Sequence, residues 1–155
     1  MKVTLVLLLC LISASAMALE TGERLAPWTL LDQYDQAYTL DNQLQVLLVA
    51  RSMEAAKLVD AALQGKPKGY LEQHHAVFLA DISRMPKVIA SLIALPKMRD
   101  YNYRILLDRN ARITPRYPVD AASVLWLDLR DGKLQRQRHF SDAAALSQAL
   151  EASAQ

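Results

Sequence analysis

The side chains that could do chemistry are few and far apart. The one cysteine, Cys10, lies in an apolar run at residues 3–12. A chain that loses this run keeps no thiolate nucleophile and no dithiol couple. His74 and His75 are adjacent, and neighbouring positions on a strand point to opposite faces. With His139 remote in sequence, they supply no zinc ligand set. Ser52 or Ser123 could be combined with a histidine and Asp81 or Asp128 into a nucleophilic triad, but no G-x-S-x-G elbow accompanies either serine. Gly22, Gly65, Gly69 and Gly132 form neither a dinucleotide fingerprint nor a phosphate loop. Neither a metal nor a cofactor is implied.

Two polar constellations remain. Arg51, Ser52 and Glu54 stand where an apolar strand pattern gives way to a helical one. A helix N-terminus there exposes unpaired N–H groups and partial positive charge, and Arg51 could help hold an anion. Ser52 as a plain cap, Arg51 as a solvated charge and Glu54 as a favourable first-turn acid explain the same residues. The second constellation is basic: residues 84–139 carry 12 basic and 5 acidic side chains, against a whole-chain net charge of +2. Arg104, Arg109, Arg112 and Arg116 form a candidate basic interface, and Arg130, Lys133, Arg136 and Arg138 follow in a hairpin pattern. One basic face built from both groups would suit an anionic envelope protein, lipid or glycan. An ordinary charged surface is the alternative. Nucleic acid is not expected, because the chain reads as exported and carries no recognition motif.

The elements that must position these residues begin after residue 18. Lys2, the apolar run and the small residues ending Ala16-Met17-Ala18 have the pattern of a signal peptide cut between Ala18 and Leu19. The run is too short to span a bilayer comfortably, so the mature chain is expected in the periplasm or secreted, with no transmembrane span. Residues 28–32 and 37–40 read as a leading hairpin, and 45–50 as a strand covered on both faces. Residues 52–64 read as a helix capped by Ser52 and stopped by Gly65 and Pro67. Residues 76–80 repeat the buried-strand pattern and complete a β-α-β unit. Pro86 opens a second helix whose Val88, Ile89, Leu92, Ile93 and Leu95 make a wide apolar face, with Pro96 restricting its end. Residues 103–107 read as a strand and 109–117 as a polar short helix or loop, which Pro115 and Pro118 keep from extending far. Residues 123–129 and 133–140 pair through the Asp131-Gly132 turn, and Ser141 caps a last helix over 142–152.

With 52% hydrophobic residues in 155, one compact domain over 19–155 is expected. The order resembles the thioredoxin-like superfamily, in its peroxiredoxin and exported thiol-disulfide oxidoreductase branch. The likeness rests on Leu25-Ala26-Pro27-Trp28-Thr29-Leu30-Leu31-Asp32-Gln33, on residues 44–50, and on Val124-Leu125-Trp126-Leu127-Asp128 before Asp131-Gly132-Lys133. It implies an α/β fold: a three-layer α/β/α sandwich with an N-terminal hairpin, a central mixed sheet and an insert before the terminal hairpin and helix. The dithiol of that family would fall at Met53 and Ala56, or at Ser52 and Ala55, and its cis-proline near Ala122 or Ser123. This chain has neither. The combination resembles cysteine-free periplasmic proteins of the YtfJ type, around Arg51-Ser52 and residues 120–133. Two functions follow: a redox-inactive binding or accessory module of the envelope, or a non-thiol enzyme or small-anion-binding protein using the Arg51-Ser52-Glu54 helix end. Intact-mass measurement of the exported product should give a chain beginning at Leu19; a soluble cytoplasmic form retaining Met1 would contradict the export reading.

Overall fold

A computed structural model describes residues 18–155. The signal-peptide reading thus falls almost wholly outside the described residues, which open at Ala18 and Leu19. Among those described, no helix is long and apolar enough to cross a membrane.

The sheet is organised by one apolar strand. Val46-Leu47-Leu48-Val49-Ala50 forms β3 (Val46–Ala50), buried at every position. It pairs in parallel with β4 (Ala76–Asp81) and antiparallel with β6 (Val124–Arg130). β5 (Ile105–Asp108) adds in parallel to β4, and β7 (Lys133–Phe140) antiparallel to β6, giving the order β5-β4-β3-β6-β7. A separate hairpin, β1 (Thr29–Leu31) with β2 (Ala37–Thr39), precedes this sheet. The β6–β7 connection turns on Asp131 and Gly132, with φ of 52° and 76°. Two successive positive φ values are what a two-residue hairpin turn requires.

Side-chain alternation splits the core in two. Val46, Leu48, Phe78, Ile105 and Trp126 face helices α1 (Met53–Leu63) and α5 (Ala143–Ser153), which contribute Ala55, Val59, Leu146 and Leu150. Leu47, Val49, Leu79, Leu106, Leu125 and Leu127 face a cover without long helices, built from Leu25, Trp28, Leu44, Ile113, Tyr117 and Val119. The insert thus forms an outer layer, regular only in a 3-10 turn at Thr114–Arg116. A short helix, α2 (Tyr70–Gln73), lies between α1 and β4. Asp142, one residue after the expected Ser141, caps α5: its carboxylate accepts from the Ala145 N–H at 2.9 Å.

The helix after Pro86 departs further from expectation. It runs as α3 (Lys87–Ile89), a π-helical turn (Ala90–Ala94) and α4 (Leu95–Arg99), so Pro96 sits inside it. The proline ring conflicts with the carbonyl four residues back, and the proline has no N–H to offer. The widened turn just before it, where the Leu95 N–H reaches the Ala90 carbonyl, absorbs that conflict. The apolar face is also not the core face: Val88, Leu92 and Ile93 are 65%, 71% and 60% exposed, and only Leu95, at 8%, is buried. Leu95→Ala should therefore cost about 2–4 kcal/mol in a urea melt, and Leu92→Ala less than about 0.5 kcal/mol. Equal losses would place Leu92 in the core.

Candidate functional site

Three parallel strands end together beside the N-terminus of α1, where ligands bind in open α/β sheets. Ser52 caps the helix, its Oγ accepting from the Ala55 N–H at 3.0 Å. The same hydroxyl donates to the Ala121 carbonyl. Both functions of the oxygen are thereby used. Ala55, three residues on, is fully buried. Arg51 Nε stands 4.0 Å from the Asp81 carboxylate. Glu54 is exposed in the first turn, where it favours the helix dipole.

Arg51 and Ser52 open onto a cleft of about 590 Å³. Its floor is the sheet face carrying Phe78, Ala80, Tyr103 and Ile105, all buried. Met53, Met85, Ile89 and Met98 supply flexible apolar walls. Arg51, Lys57, Arg84 and Lys97 give it four cations, against the carboxylates of Asp60 and Asp81. Tyr103 donates to Asp60 Oδ1 at 2.8 Å, and burial followed by that carboxylate raises the phenol far above its ordinary pKa. Glu54 is not among the lining residues, and no histidine is. Of the predicted trio the structure brings together Arg51 and Ser52 only.

Behind the cleft, sequence reasoning missed a buried polar knot. Asp81 and Asp108 close β4 and β5 in register, side by side. The Thr114 hydroxyl lies 3.1 Å from Oδ2 of each, donating to one at a time. Asp108, 1% exposed, accepts from the N–H groups of Arg112, Ile113 and Thr114 at 2.8–3.0 Å. Burial pushes its carboxyl up, but these donors together hold it below the ordinary range. The signal lay in two matching strand ends, Phe78-Leu79-Ala80-Asp81 and Ile105-Leu106-Leu107-Asp108.

The candidate basic interface divides. Arg109, Arg112 and Arg116 are exposed and line one groove of about 430 Å³ beside residues 27–31. Arg104 is elsewhere: its Nε pairs with the buried Asp32 at 2.8 Å, and its guanidinium lies 5.4 Å from the Tyr38 ring centroid. Arg109 also reaches Asp35 at 3.3 Å. The insert follows β5 while Arg136 and Arg138 sit on β7, the opposite edge of the sheet. At about 4.8 Å per strand, roughly 19 Å separates them. The expected single basic face is not formed, and Arg136 and Arg138 are partly neutralised by Asp128 at 2.9 and 3.6 Å.

The sequence matches no protein-family model and no curated protein. Solved structures do match. A putative thiol:disulfide interchange protein DsbE from Chlorobium tepidum superposes with a TM-score of 0.59 at 17% identity, covering 89% of this chain and 100% of that one. The thioredoxin domain of a thiol-disulfide oxidoreductase from Bacteroides vulgatus gives 0.53 at 16%, covering 89% and 100%. A peroxiredoxin-like protein from Aquifex aeolicus gives 0.53 at 12%, covering 88% of each chain. This chain has a thioredoxin-like fold. At these identities the likeness concerns the fold. In this thioredoxin-like fold Ser52 and Ala55 occupy the capping turn of α1, and no peptide bond among the described residues is cis.

The Asp108 knot holds the thioredoxin-like sheet to its insert. A carboxyl whose folded pKa lies below its unfolded one adds stability in full above the unfolded value of about 4 and loses it as pH falls through the lower folded value. Asp108→Asn should therefore cost about 2–3 kcal/mol at pH 7, measured by urea unfolding, with the gap to wild type narrowing as the pH is taken below about 4. A gap that stays constant with pH would show that the charge is not what matters.

Proposed function

We propose that this protein is an exported, redox-inactive thioredoxin-like binding module of the cell envelope, and that its ligand seats in the cleft beside α1. One observation carries the reading. The capping position of α1 holds a hydroxyl already engaged as donor and acceptor, while an open cleft with an apolar floor persists next to it. A serine hydroxyl needs a base to become a nucleophile, and no histidine lines this cleft among the described residues. The export part rests on the sequence pattern of residues 1–18. Four cations around an apolar floor suit an amphipathic anion, an apolar group ending in a carboxylate or phosphate. The small-anion reading is thus kept in a modified form, through the cleft's side chains rather than through the helix end and Glu54.

Dodecanoate is a suitable probe. It should bind saturably to the chain beginning at Leu19 and raise its melting temperature, and Arg51→Gln/Lys57→Gln should weaken binding about tenfold or more. Ala56→Trp should block it by filling the cleft. The same wild-type protein should show no dithiothreitol-dependent insulin reduction and no peroxidase turnover. Thiol-dependent turnover surviving removal of contaminants, or dodecanoate binding unaltered in both variants, would overturn the proposal.

A further inference from the structure

Among the described residues, exposed large aliphatic side chains cluster on the outer face of the helix at residues 87–99. Val88 with Leu92, and Ile89 with Ile93, make two neighbouring rows at i,i+4 spacing. All four side chains are exposed, and the helix is anchored from its other side, by Leu95 within the core and Met98 packed against it. A soluble chain does not ordinarily leave such a face uncovered. The charge of the helix itself is positive. Residues 82–99 contain Arg84, Lys87, Lys97 and Arg99 and no acidic residue, with Asp81 and Asp100 at the two borders. Arg99 is engaged, its Nε donating to the Gln33 carbonyl at 2.8 Å and its guanidinium 3.7 Å from Asp35. Among the described residues Arg84, Lys87 and Lys97 form no ion pair.

We infer that this helix face is a docking surface for an anionic phospholipid bilayer, with Val88, Ile89, Leu92 and Ile93 entering the headgroup and acyl boundary and Arg84, Lys87 and Lys97 meeting lipid phosphates. An aliphatic face bordered by cations is the pattern of an interfacial helix, and each cation near an anionic leaflet adds attraction. The cores of protein interfaces are instead enriched in aromatic side chains and depleted of lysine, whereas this face is wholly aliphatic and lies between Lys87 and Lys97. By absorbing Pro96, the π-helical turn lets the helix run on to Lys97 and Arg99 instead of ending at residue 95. The surface meets the cleft edge at Arg84, Ile89 and Lys97, which line both, but docking does not require a ligand there.

Co-sedimentation of the chain beginning at Leu19 with vesicles of phosphatidylglycerol and phosphatidylethanolamine tests the inference. Wild type should bind, less strongly as salt rises and less strongly to phosphatidylcholine vesicles. Leu92→Asn/Ile93→Asn should reduce binding about tenfold or more, and Lys87→Gln should lessen it and flatten its salt dependence. Both side chains are exposed, so the double variant should melt as wild type does and should bind dodecanoate unchanged. Failure of the docking reading is thereby distinguishable from failure of the cleft reading. No binding to anionic vesicles, equal binding by the double variant, or equal binding to phosphatidylcholine would each overturn the inference. So would a concentration-dependent dimer abolished by Leu92→Asn/Ile93→Asn, which would assign the face to a second copy of this chain.

Discussion

Strand β3 has no solvent face, and most of the molecule follows from covering it twice. Leu47, Leu48 and Val49 are wholly buried while pointing alternately to opposite sides, so each side of the sheet needs an apolar lid. The two lids are of unequal kind. On one side α1 and α5 satisfy their own backbone hydrogen bonds and need only offer an apolar stripe. On the other, residues 19–45 and 109–119 cross the sheet largely as loop, and a loop laid on an apolar face must find partners for its buried peptide groups. The buried polar side chains Asp32, Gln33, Asp108 and Thr114 all serve this second lid. Gln33, fully buried, donates to the Tyr103 carbonyl at 2.8 Å and accepts from the Ile105 N–H at 2.9 Å. Asp32 accepts from two turn N–H groups and from Arg104. Trp28 Nε1 donates to Tyr117 at 2.7 Å, joining the two crossing segments across the core.

This division fixes where a ligand can go. The N-terminus of α1 and the C-terminal ends of β3, β4 and β5 meet on the helical side, so the cleft has a rigid sheet floor and a wall made by the helix at residues 87–99. That wall is held in the core mainly by Leu95. A lightly anchored helix lining a cleft is the element best able to adjust to a bound molecule, and the methionines at 53, 85 and 98 add adaptable surface.

What could be read from sequence was what repeats locally. β3, β7 and α1 follow from an unbroken apolar run, a turn dipeptide with flanking strands, and a capped period of 3.6. The thioredoxin-like order was legible for the same reason. The helix at residues 87–99 was legible as a helix but not as an exposed one, because periodicity reports that a face is apolar and not what covers it. Its passage through Pro96 depends on one widened turn that no residue type announces. Arg104 was misplaced because its partner, Asp32, lies 72 positions away. The cleft is assembled from residues between 51 and 105, whose convergence is a property of the sheet order and not of any motif.

The binding role proposed for the cleft beside α1 has a simple electrostatic basis. A helix N-terminus stabilises an anion, and a thiol there ionises readily because its free pKa lies near neutrality. A serine hydroxyl in the same place stays neutral and takes up the N–H of Ala55 as an ordinary cap. The helix end is thereby partly spent on Ser52, and the field felt in the cleft is left to the cations around it. Arg51 is the most consequential of these. At 4.0 Å its contact with Asp81 is long, while that carboxylate already accepts from the Ser83 N–H at 2.9 Å and faces the Thr114 hydroxyl at 3.1 Å. Asp81 therefore keeps the Ser83 N–H when the guanidinium turns away but loses the one cation paired with it among the described residues, so an anion that recruits Arg51 must offset that loss.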